Sequence, residues 1–258
     1  MLKLVDTRFI FVHYPVGSHG WFLASLLWQA FDPREIFKFD VRGIGYDNTA
    51  ITKINNFYTD IIDSEKGQLI IHDTDYDKFS YQERIGYLRD TLVATPYAPK
   101  PEIPQIIALS CCNINLFLDA FPKSKCIQIN LEEDDWLVCA ANYLRRIILT
   151  EEEFTEYCAK YNITSTTWEQ FVDIGNCIKE FTWAISHVHA TAKHVENKPE
   201  YDDRFFEIFF KEFMTDDIDY LLASLFKFAE FTSVMEFLFN EIYNYVQTFR
   251  GQQLGYKI

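Results

Sequence analysis

Arg8-Phe-Ile-Phe-Val-His-Tyr14 runs into Pro15-Val-Gly-Ser-His-Gly20 and then into Trp21-Phe-Leu-Ala-Ser-Leu-Leu-Trp-Gln-Ala-Phe31. The first segment is a short continuous apolar run, the pattern of a strand buried on both faces. The last has no β-branched residue and several strong helix formers, so it reads as a helix. Gly17 and Gly20 between them mark a tight turn. Strand, glycine turn and helix make the first half of a βαβ unit.

Further along, Gln68-Leu-Ile-Ile-His72, Gln105-Ile-Ile-Ala-Leu109 and Lys125-Cys-Ile-Gln-Ile-Asn130 read as short strands bounded by polar, glycine or proline residues. A helix is expected from Tyr81 to Leu92, and a shorter one from Asn113 to Phe121, ended by Pro122. The alternation predicts an α/β fold: three layers around an open, mostly parallel sheet, with a P-loop-like first βα turn. Strand order does not follow from it.

After residue 134 the chain becomes helical. Asp134-Asp-Trp-Leu-Val-Cys-Ala-Ala-Asn-Tyr-Leu-Arg-Arg146 carries acids first and bases last, which suits a helix dipole. Thr150-Glu-Glu-Glu153 is a capping box opening the next helix. Residues 167–195 read as one long helix or two short ones, with Gly175 as the weak point. Arg204-Phe-Phe-Glu-Ile-Phe-Phe210 reads as a strand, and helices at about 217–230 and 233–249 close the chain, the last opened by Ser233 and Glu236. The expectation is a single α/β domain over 1–258, with the helix-rich region 134–195 packed on it as a C-terminal elaboration.

The 258 residues are 48% hydrophobic and 17% aromatic, enough for a sizeable core and incompatible with disorder or a small disulfide scaffold. The net charge of −14 argues against general nucleic-acid binding, which needs concentrated positive charge. Asp6 and Arg8 interrupt any signal-like start, and no 18-residue apolar run suggests a membrane span. The six cysteines lack metal-site spacing and read as reduced and mostly buried, which fits a cytoplasmic setting. His187, His189 and His194 lack the acidic partner of a zinc motif, so no metal is expected. Phe205, Phe206, Phe209, Phe210, Phe213 and Phe226 read as core, with oligomerisation through an exposed subset left open.

The glycine turn carries the sharpest chemical signal. A strand entering a helix through two glycines aims successive N–H groups, and the positive end of the helix dipole, at one point where a phosphate or sulfate can sit. Ser18 adds a hydroxyl and His19 a ring donor. The turn has neither the lysine nor the spacing of a Walker A loop, and it is not a dinucleotide fingerprint. The plainer alternative is a tight βα connection whose glycines merely fit the turn.

The segment from Phe11 to Leu27 resembles the opening of the P-loop sulfotransferases, in which a strand, a proline, a small-residue turn and a helix bind 3′-phosphoadenylyl sulfate. The resemblance implies that Gly17, Ser18, His19 and Gly20 hold the 5′-phosphate and sulfonate side of that cofactor. It also implies His72 as general base on the acceptor hydroxyl and Arg250 as a contact to the 3′-phosphate. Val16 stands where many members carry lysine, and Asn130 follows the strand that is usually followed by a phosphate-binding arginine. Arg145 and Arg146 supply positive charge nearby in sequence, but read first as dipole partners of their helix.

On this resemblance the chain transfers a sulfonate group to the hydroxyl of a small-molecule or saccharide acceptor. Two other readings stand beside it: an inactive protein of the same fold serving a structural or interaction role, and an atypical nucleotide-binding phosphotransferase. The missing lysine and Mg²⁺-binding pattern count against the last.

Overall fold

Phe9–His13 (β1), four apolar residues followed by a histidine, is buried throughout and pairs in parallel on both of its sides. The computed structural model describes residues 8–31, 39–40, 43–44, 58, 60–62, 64–71, 78–92, 104–110, 112–172, 180–192, 203–215, 218–230 and 243–244. After β1 come Gly20–Phe31 (α1), a two-residue antiparallel pair of Phe39–Asp40 (β2) with Gly43–Ile44 (β3), Glu65–Ile71 (α2) and Tyr81–Thr91 (α3). Then follow Gln105–Leu109 (β4), Ile114–Ala120 (α4), Lys125–Asn130 (β5) and Asp135–Ile147 (α5). The later part holds Glu151–Tyr161 (α6), Trp168–Val172 (α7), Thr182–Ala192 (α8), Phe205–Phe209 (β6), Phe210–Thr215 (α9) and Ile218–Phe228 (α10).

Four of the strands form one parallel sheet in the order β4-β1-β5-β6. β1 matches Phe9 to Gln105 and His13 to Leu109 on one side, and Ile10 to Lys125 and His13 to Gln128 on the other. Phe9 and Phe11 share a face and meet α4 and its C-cap, Phe11 against Phe117 at 5.4 Å and Phe9 against Phe121 at 4.7 Å between ring centroids. Ile10 and Val12 turn to the opposite face. α1 packs on β1 and β4. The result is a mixed α/β fold, a small parallel sheet flanked by helices, consistent with a three-layer arrangement.

Helix boundaries follow local chemistry. Ser80 and Glu83 make a reciprocal capping box at α3, and Thr150 and Glu153 make one at α6. α6 ends at Asn162, whose φ of 55° is the left-handed C-cap that asparagine tolerates. β6 was expected despite poor alternation, and its burial is irregular: Phe205 and Ile208 are buried while Glu207 and Phe209 are exposed. Among the described residues of 167–195 stand the helices α7 and α8, and the expected weak point Gly175 lies outside the described residues. The helix expected at 233–249 lies almost wholly outside the described residues.

The strand expected at 68–72 is corrected by the structure: Gln68 to Ile71 lie in helix α2. Ser64 accepts the Gly67 amide on its hydroxyl at 3.0 Å, and its carbonyl accepts the Gln68 amide at 2.8 Å. Gly67, Ile70 and Ile71 are the buried positions, a three-and-four spacing that belongs to a helix. A three-residue apolar run, Leu69 to Ile71, satisfies either periodicity, and the Ser64 cap settles it.

Candidate functional site

The turn after β1 is held by hydrogen bonds within itself and to α8. Ser18 N–H donates to the Pro15 carbonyl at 3.2 Å, closing a β-turn over residues 15–18. Gly17 occupies its third position with φ of +81°, the conformation that a type II turn demands and that only glycine adopts freely. The Ser18 hydroxyl also donates to the Pro15 carbonyl, at 2.7 Å, and Ser18 is fully buried. Val16 N–H donates to Thr191 Oγ1 of α8 at 3.2 Å.

Both glycines are there for close approach. A Cβ on Gly17 would lie 1.9 Å from the Cys139 carbonyl oxygen, so α5 is seated directly on the turn. A Cβ on Gly20 would lie 2.0 Å from the Tyr14 ring. One turn of α5 beyond Cys139, the buried Asn142 carboxamide reaches the turn from the same side. Its Nδ2 stands 3.1 Å from the Gly17 carbonyl oxygen and 3.0 Å from His19 Nε2.

His19 adopts φ of 60° and its carbonyl accepts the Leu23 amide as α1 begins. Its ring lies over Phe210 at 6.1 Å. The residue keeps some solvent contact, yet dense protein surrounds the imidazole. That burial, with a smaller contribution from the Arg146 charge, holds it well below the ordinary histidine range. His19 is therefore a neutral group at pH 7.

Beside the turn lies a cavity of about 330 Å³, lined by Tyr14, Val16, Gly17, Trp21, Tyr143, Arg146 and Ile147. Three of the lining residues are aromatic, and Arg146 is the one charged residue among them. It sits past the C-terminal end of β1, where chain connections leave in opposite directions: from β1 toward β4, and from the adjacent β5 toward β6. In open α/β sheets such a switch point is where ligands bind. The volume falls at the lower end of small-molecule pockets.

No protein-family model matches the chain, and no curated protein is similar to it in sequence.

Of the residues singled out in sequence, Gly17, Ser18, His19 and Gly20 are brought together as expected of a turn. Gly17 lines the cavity, whereas the Ser18 hydroxyl points back to Pro15 and His19 toward Asn142 and Phe210. His72 and Arg250 lie outside the described residues, and the strand whose end His72 was expected to occupy is the helix α2. Asn130, at the end of β5, accepts a hydrogen bond from Gln128 Nε2 at 2.6 Å. His187 and His189 are taken up by aromatic neighbours, His187 by Trp183 at 5.3 Å and His189 by Trp136 at 4.3 Å. Among the described residues no group of three His, Cys, Asp or Glu is placed to hold a metal.

Sequence reading missed the aromatic walls, and it treated Arg145 and Arg146 alike. The structure separates them. Arg145 donates to the Val172 carbonyl at the end of α7, at 3.1 Å, while Arg146 lines the cavity. The detectable signal was the spacing of Cys139, Asn142 and Arg146 along one helical face.

Proposed function

We propose that the cavity beside the first βα turn binds the oxyanion end of a nucleotide-type ligand, and that the chain acts as a divergent P-loop sulfotransferase-like protein. The observation that carries the reading is Arg146 in an aromatic-walled cavity at the switch point of the sheet. A guanidinium matches phosphate and sulfonate geometry with paired donors. Tyr14, Trp21 and Tyr143 offer ring faces on which a planar base stacks. The ligand implied by the sequence resemblance, 3′-phosphoadenylyl sulfate, combines these two chemistries.

In this reading the turn contributes shape and the Gly17 backbone, and Arg146 takes the electrostatic role that lysine has elsewhere in the family. Sulfonate transfer to an acceptor hydroxyl is a matter of positioning and of charge stabilisation on the leaving phosphate. With His72 outside the described residues, the transfer step rests on the resemblance alone. Calorimetric titration of the full chain with adenosine 3′,5′-bisphosphate tests the binding step. Binding that Arg146→Gln weakens at least tenfold is expected. No heat at millimolar ligand removes the reading.

A second reading has its own support: a fold that keeps the turn without the transfer activity. The Ser18 hydroxyl bonded to Pro15, and Cys139 packed onto Gly17, make the turn a self-contained packing device. Bisphosphate binding without sulfonate transfer to any phenol or saccharide hydroxyl would favour it.

A further inference from the structure

An amide NH₂ has two hydrogens, and both of those on Asn142 are engaged. The Gly17 carbonyl, 3.1 Å away, can only accept, which fixes the orientation of the carboxamide. The second hydrogen then points at His19 Nε2, 3.0 Å away, so that nitrogen must accept as well. The ring proton is accordingly on Nδ1, and the imidazole is neutral by hydrogen-bond geometry alone. Protonation at Nε2 would set two donors against each other.

Among the described residues, the imidazole meets Asn142 of α5 and Phe210 of α9, and the charge of Arg146, also on α5, acts on it. Asn142 and Phe210 do not titrate, and Arg146 carries a fixed positive charge that opposes a second one. Arg146 follows Asn142 by four residues on the same helical face and lines the cavity together with Gly17. The turn, the histidine and the cavity therefore share one helix as a common wall.

We propose that anion uptake by this cavity is proton-coupled through His19. An anion seated on Arg146 offsets the charge that opposes a proton on Nε2. That proton comes from solvent. As the Nε2–H bond forms, the Asn142 carboxamide turns over so that its oxygen accepts from the ring and its NH₂ leaves the Gly17 carbonyl. Affinity for the anion rises as the pH falls below neutrality, and Asn142 acts as a positioning residue that relays the change to the turn. The proposal rests on the reading that the cavity holds an anion.

Nitrogen-15 spectra of the uniformly labelled full chain, read at the histidine rings and at the Trp21 and Tyr143 amides and titrated in pH with and without inorganic sulfate, test it. His19→Asn identifies the signal by its loss. Without sulfate, the neutral Nδ1–H pattern is expected to persist well below pH 6.5; millimolar sulfate should move the midpoint up by about one pH unit, a tenfold change in protonation. Arg146→Gln should raise the midpoint without sulfate and abolish the response to it. An unmoved midpoint, while sulfate shifts the Trp21 and Tyr143 signals, overturns the coupling and leaves the cavity reading standing. No shift at Trp21, Tyr143 or His19 overturns both.

Discussion

The carbonyl oxygen of Cys139 occupies the space into which a side chain on Gly17 would project, with only 1.9 Å between them. Gly17 also has φ of +81°, so an alanine there meets two penalties, a left-handed backbone and a backbone clash with α5. Neither can be relieved by rotating a side chain. Gly17→Ala is expected to destabilise the fold by about 2–4 kcal/mol, lowering the melting temperature by roughly 5–15 °C. Thermal unfolding followed by circular dichroism measures it.

Gly86 makes the opposite prediction. It lies inside α3, and a Cβ there meets nothing within 4 Å. Gly86→Ala removes backbone freedom from the unfolded chain at no steric cost, and should stabilise by about 0.5–1 kcal/mol. A urea midpoint at or below that of the parent would contradict the open space at this position.

The depressed ionisation of His19 links stability to pH. Its folded-state value is lowered to about 3 by burial first and by Arg146 second. As the pH falls past about 6.5 the unfolded chain takes up a proton that the folded chain refuses. The contribution is intact above that pH and is lost progressively on acidification toward the folded value, by at most about 1.4 kcal/mol per pH unit. Surface carboxylates act in the same direction, so the informative quantity is the difference between parent and His19→Asn, because asparagine also tolerates a left-handed φ. That difference should shrink between pH 7 and pH 4. A constant difference would mean that His19 titrates normally.

Two capping boxes give a matched pair. The Ser80 hydroxyl accepts the Glu83 amide at 3.3 Å, and the Thr150 hydroxyl accepts the Glu153 amide at 3.2 Å. Ser80→Ala and Thr150→Ala should each cost about 1 kcal/mol. The two caps share no partner, so the double variant is expected to lose the sum. Denaturant titration of the three variants checks both size and additivity.

At Glu230 two effects compete. Its carboxylate pairs with Arg8 at 2.7 Å and Lys125 at 2.9 Å, yet its φ of 62° is unfavourable for a glutamate. Partly exposed pairs of this kind contribute about 0–1 kcal/mol each, and the left-handed backbone costs about 1–2 kcal/mol. Glu230→Gly therefore nearly cancels, with a net change within about 1 kcal/mol. Glu230→Ala loses the pairs and keeps the strain, so it should be the less stable of the two.

The sheet was legible where burial is complete on both faces. Phe9–His13 and Gln105–Leu109 each hold a four-residue apolar run too short for a helix, and both are strands. Gln68–Ile71 shows the same kind of run, but its burial repeats at helical spacing and its start is fixed by Ser64. In the turn, the need for Gly17 and Gly20 was readable, whereas the partners that impose it were not. Cys139 meets Gly17 only because α5, more than a hundred residues later, lands on the turn. Arg145 and Arg146 are indistinguishable as neighbours in sequence, and about 100° of helical rotation sends one to Val172 and the other to the cavity.

The central position of β1 also sets a timetable for synthesis. Both of its neighbours, β4 and β5, emerge about a hundred residues after it, and each contributes a full parallel ladder. At ribosomal rates of about 5–20 residues per second, a fully buried, mostly apolar strand waits roughly 5–20 s for its first partner. Nascent chains cut before Leu109 should depend on chaperones, and those extended past Asn130 should begin to shed them.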